Sequence, residues 1–214
     1  IINIALEGIM VIGGVAGVLT LTMLPADMSP FLVVLISVLV AALAGIVYSL
    51  LLAFASINLK ADQTIGGTAL NLMAPALVLF FIRLLANQNT LQMYTGDSAS
   101  WFMIKKTMLG YAKTDKLGFF AETFLNKVYL ATYLCILIYV ILAVILYKTR
   151  FGLRLRSCGE NPQAADSLGI NVVKMRYAGV TISGALAGLG GFVYAMTTAN
   201  CSANGDVAGF GFLA

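Results

Sequence analysis

The chain contains no histidine. Within these residues that excludes a Ser-His pair of the rhomboid type, an HExxH zinc site and a His-based proton relay. No lysine follows a glycine, so there is no GxxxxGK[ST] phosphate loop and ATP cannot be held in the P-loop manner. The three cysteines, Cys135, Cys158 and Cys201, form no CxxC pair and imply neither a disulfide frame nor a metal site. Gly205-Asp206 resembles part of an intramembrane aspartyl protease motif, but it lacks the second, paired carboxylate that general acid-base work needs. No catalytic residue is expected in this chain.

Charge is scarce as well: only 10% of the residues are charged while 60% are hydrophobic, far from the roughly 25% and 45–50% of a soluble domain. With a mean hydropathy of +0.95, the composition is that of an integral membrane protein. About 20 apolar residues cross a hydrocarbon core, and five uncharged runs are long enough. They lie between Glu7 and Asp27, Pro30 and Lys60, and Asp62 and Arg83, from Val128 to Tyr147, and from Tyr177 to Ala199. Unbroken apolar runs favour helices over barrel strands, which are shorter and alternate with polar residues. The expected fold is all-α, a single multi-pass membrane-spanning domain over residues 1–214. Ile1 to Leu6 and the closing GFGFLA read as parts of spans, so about six spans are expected, with the chain cut at both ends.

Orientation follows from basic residues near span ends. Residues 148–176 carry Lys148, Arg150, Arg154, Arg156, Lys174 and Arg176 against Glu160 and Asp166, which makes this the expected cytoplasmic loop. Counting spans back puts 57–62 on the same side and 87–127 outside. That outer segment mixes aromatics such as Trp101 and Phe102 with lysines. It fits either a membrane-surface helix or a docking site for an external protein.

The glycines gather in the spans, as GGVAG, IGGTA and SGALAGLGG. Small residues four apart let helices approach closely in a bilayer, and a minority could instead mark broken helices lining a path. Asn3, Glu7 and Asn71 are polar within the spans and costly to face lipid. They should either bond between helices or meet a permeating solute.

In the basic loop, GENPQAADSLGI reads as a short helix of its own. Asn161 is a good N-cap, Pro162 suits the first helical position and Gly169 supplies a stop, with Leu168 and Ile170 as apolar anchors. A structural linker or a docking knob for a cytoplasmic partner would both account for it.

Residues 149–191, TRFGLRLRSCGENPQAADSLGINVVKMRYAGVTISGALAGLGG, together with NIALEGIMVIGG and LKADQTIGGTALNLMAPAL, resemble the permease subunits of bacterial ABC importers in the branched-chain amino acid, ribose and nucleoside group. The simple-sugar or nucleoside branch is nearest. The resemblance implies a non-enzymatic subunit of the bacterial plasma (inner) membrane that forms the path for a nucleoside or simple sugar. Its partners would be ABC ATPase subunits that use ATP and Mg, a second permease subunit forming a heterodimer, and an extracytoplasmic substrate-binding lipoprotein. The chain itself would bind no cofactor or metal, and no nucleic acid is expected. Gly159, Glu160, Asn161, Pro162, Ala164, Ala165 and Gly169 would then belong to the coupling helix seated on the ATPase, while Asn3, Glu7 and Asn71 are candidates for the solute path. The alternatives are a branched-chain amino acid permease of the same family or a secondary transporter. The latter is disfavoured because no span carries a pair of carboxylates for ion coupling.

Overall fold

A computed structural model describes residues 3–24, 28–86, 90–92, 103–104, 128–198, 200–202, 209 and 211. Its helices are α1 (Leu6–Met23), α2 (Pro30–Ala53), which runs on into a π-helical turn (Phe54–Asn58), α3 (Gln63–Ala86), α4 (Leu130–Lys148), α5 (Arg150–Glu160), α6 (Pro162–Ser167) and α7 (Val172–Thr198). Five stretches are long and apolar enough to cross a membrane: Leu6–Met23, Phe31–Asn58, Gln63–Leu85, Ala131–Lys148 and Val172–Thr197. The protein is an all-α multi-pass membrane protein. Of the terminal run expected to begin a sixth span, only Gly209 and Gly211 are described, and the rest lies outside the described residues.

The spans form helices because a helix pairs its backbone groups internally where no water is present to do so. Their few hydroxyls follow the same rule. Ser37 donates to Val33 O at 2.9 Å and Ser49 to Ile46 O at 2.8 Å, so two fully buried serines are satisfied within α2.

The chain divides into two compact units, residues 1–93 with 154–214, and 94–153. In the larger unit α1, α2 and α7 pack against one another and α3 packs on α1. Glycine decides how closely. A Cβ on Gly188 of α7 would run into Ala41 O of α2, and one on Gly13 of α1 would run into Gly188 itself. One on Gly14 would lie 2.9 Å from Gly191 O. The seam is therefore backbone against backbone, the kind of contact that association by packing in a bilayer rewards. Phe192, 1% exposed, fills the space that Gly17 leaves open.

Two contacts order the ends of this bundle. The Tyr177 hydroxyl, near the start of α7, donates to Asn58 Oδ1 at the close of the π-turn, at 3.2 Å. At the other end β1 (Thr90–Gln92) pairs antiparallel with β4 (Asn200–Ser202), Leu91 opposite Cys201, joining the exits of α3 and α7. The 59–62 corner thus shares an end with the start of α7, as the span count requires.

In the smaller unit β2 (Met103–Ile104) pairs antiparallel with β3 (Val128–Tyr129), which leads into α4. Leu134, Leu137 and Ile141 on α4 are exposed, as side chains facing lipid are. Of the segment 87–127, residues 90–92 and 103–104 are strand. The membrane-surface helix expected there otherwise falls outside the described residues.

Candidate functional site

The loop between α4 and α7 is built from local signals. α5 places Phe151, Leu155 and Cys158 at helical spacing on one face, opposite Arg156 and Glu160. Cys158 is buried, and Leu155 Cδ1 lies 3.3 Å from where a Cβ on Gly179 of α7 would sit. This helix was missed in the sequence, although the i, i+4, i+7 spacing of those three residues marks it.

α6 follows after one residue. The Asn161 side chain accepts the Ala164 N–H at 3.1 Å, taking up one of the donors that every helix start leaves unpaired, and Pro162 occupies the position where a missing N–H costs nothing. At the other end Gly169 has φ +78°, its N–H donates to Asp166 O at 2.9 Å, and the Ile170 N–H donates to Ala165 O at 3.1 Å. This pair of bonds is the Schellman arrangement, which needs a left-handed residue at the glycine position. Asn171 then caps α7, accepting the Lys174 N–H at 3.0 Å.

Ala165 is the anchor of α6, at 2% exposure. Ile170 is half-buried, whereas Leu168, expected to anchor alongside it, points outward at 80% exposure. Gly159, Glu160, Asn161, Ala164 and Gly169 are exposed and Pro162 is half-buried. The seven loop residues singled out in the sequence thus form one continuous feature with a mostly small and polar outer surface. Beside it lies a cleft of about 580 Å³ lined by Pro162, Gln163 and Asp166 of α6, the connecting Gly169 to Asn171, and Val172, Val173 and Arg176 of α7. Arg176 also borders a cavity of about 160 Å³ shared with Asn3, Cys158, Gly159 and Ser183. Its buried Nε has no hydrogen-bond partner among the described residues.

The three polar span residues do not gather at one place. Asn3 donates from Nδ2 to Ser183 Oγ at 3.1 Å and accepts the Ala5 N–H at 3.2 Å. Asn71 accepts the Gly8 N–H at 2.9 Å and donates to Ile4 O at 2.8 Å. Glu7 accepts from Gly209 N at 3.0 Å through Oε1 and from Gly211 N at 2.7 Å through Oε2. All three therefore have hydrogen-bond partners within the protein.

The family model for the permease component of branched-chain amino acid transport systems matches residues 1–214. The chain belongs to that family. Over its whole length it is 40% identical to the nucleoside ABC transporter permease protein NupC of Lactococcus lactis subsp. cremoris, and 40% identical to the guanosine ABC transporter permease protein NupQ of Bacillus subtilis. It covers 64% of each of those relatives. The putative glucose ABC transporter permease protein TsgC13 of Haloferax volcanii is 27% identical over the whole chain, which covers 60% of it. No solved structure matches. The permease family accounts for what the chain has and lacks: apolar spans, a capped helix between two of them, and no phosphate loop.

Proposed function

We propose that this chain is the transmembrane permease subunit of an ATP-driven (ABC) importer and contributes to the path for a nucleoside or simple sugar delivered by an external binding protein. The observation that carries the reading is α6, a helix capped at both ends by its own sequence and anchored by Ala165, with Glu160 and Leu168 exposed beside it. In an importer of this kind the ATP is used by a partner, and a compact, largely exposed helix is a means of receiving the partner's motion. In this role Gly159, Glu160, Asn161, Pro162, Ala164, Ala165 and Gly169 form the coupling helix on the cytoplasmic side. ATPase closure pushes it, tilts the attached spans and exposes the path to each side in turn. ATP and Mg belong to the partner. A second, divergent permease completes the membrane part, and the bacterial plasma membrane is the location.

The names of the two 40% relatives support nucleoside over sugar. The test is solute uptake by cells carrying the transporter. Bulky replacements of Glu160 and Ala165 should abolish uptake while the chain still inserts, and unaffected uptake would sink the coupling role. Uptake that survives ATP depletion would favour a secondary transporter. For the solute, binding of uridine, adenosine, ribose and leucine to the cognate receptor decides, and a leucine-only receptor would overturn the nucleoside branch.

A further inference from the structure

We infer that the hydrogen bond from Tyr177 to Asn58 carries displacement of α6 into the α2–α3 corner, and that Tyr177 is a positioning residue for transport. This rests on the coupling role proposed for α6.

The connection from α6 to Tyr177 is short and stiff. Residues 168–171 are closed by the Gly169 and Ile170 bonds on one side and by the Asn171 cap on the other, so a shift of α6 moves the first turns of α7 with it. Tyr177 stands in those turns, and its hydroxyl meets Asn58 at 3.2 Å, 119 residues away in the chain.

The receiving corner is an irregular one. Asn58 ends the π-turn Phe54–Asn58, in which the Leu59 N–H reaches back to Phe54 O at 3.3 Å. The next residue but one, Lys60, is left-handed at φ +54°, a conformation that a residue with a Cβ seldom adopts. The π-turn and the left-handed Lys60 together end α2, so the backbone departs from regular helix just where Tyr177 meets it. The corner passes directly into α3, whose first turn is capped by Asp62 accepting the Thr64 N–H at 2.7 Å. Nine residues after that cap, Asn71 grips the start of α1. Motion delivered to Asn58 thus has a hydrogen-bonded route through α3 to α1.

Exposure explains why this bond serves coupling better than stability. Asn58 is exposed and Tyr177 half-buried, so a water can replace either partner and the bundle does not depend on the bond to fold. What water cannot replace is the directional link between the two elements.

The test is a double-mutant cycle in the complete transporter, reconstituted with its ATPase, partner permease and receptor, reading solute uptake and ATP hydrolysis together. Tyr177→Phe and Asn58→Ala should each lower ATP-driven uptake about three- to tenfold, the range that losing one ordinary hydrogen bond gives. The double variant should fall no further than the worse single one, hydrolysis should continue, and Asn58→Asp, which keeps an acceptor, should restore uptake. Unchanged uptake in Tyr177→Phe, losses that multiply in the double variant, or hydrolysis falling in step with uptake would each overturn the inference. If the α6 variants abolish uptake while Tyr177→Phe does not, this link alone fails. If the α6 variants have no effect either, the coupling role itself fails.

Discussion

The amide oxygen of Asn71 accepts the backbone N–H of Gly8 at 2.9 Å, so the first turn of α1 is capped by a residue of α3. The N-cap residue of α1 itself, Ala5, has no side chain able to do this. With the second bond from Asn71 to Ile4 O, one side chain fixes where α1 begins and how α3 lies against it.

Asn71→Leu should therefore destabilise the protein by about 1–2 kcal/mol, since it leaves a helix-start donor and a carbonyl without partners away from water. The measurement is the unfolding midpoint in detergent. An unchanged midpoint would mean that the two bonds contribute nothing net.

Neighbouring glycines in α7 should respond in opposite ways. A Cβ on Gly191 would run into the backbone of Met10, coming within 2.8 Å of its Cα, whereas one on Gly190 would lie 3.8 Å from the flexible Met10 Cε. Gly191→Ala should cost at least about 1–3 kcal/mol through overpacking. Gly190→Ala should be neutral or stabilising by up to about 1 kcal/mol through helix propensity. Thermal unfolding of the two variants side by side checks this, and equal behaviour would contradict the backbone seam.

The caps of α6 should matter locally. Asn161→Ala should weaken the helix by about 1 kcal/mol, and Asn161→Asp should retain most of its stability. Gly169→Ala should cost a similar amount, about 1 kcal/mol or more, because φ +78° is strained for a residue with a Cβ. Amide hydrogen exchange at Ala164 and Ile170 is the readout, and both should exchange faster in the alanine variants. Protection equal to that of the unsubstituted chain would show that packing at Ala165 alone holds α6.

How much of this could be read beforehand depends on how far apart the partners are in the chain. The spans and the α6 caps rest on neighbours within about five residues, and the structure has them where composition and capping rules put them. The start of α7 lies five residues earlier than the apolar run suggests. Lys174 and Arg176 belong to its first turns, where charge is tolerated and Asn171 supplies the cap. The π-turn has no sequence signature. Least legible are the long-range bonds: nothing near Glu7 announces that Gly209, 202 residues later, will donate to it. The glycine clusters foretold close packing, but which helix each one would meet required the three-dimensional arrangement.

Every hydrogen bond that shapes the segment from Asn161 to Met175 closes over five residues or fewer. Its form is therefore carried by its own sequence and needs little from the spans on either side. If the proposed coupling role holds, a segment built in this way would lose little of an applied push to its own bending.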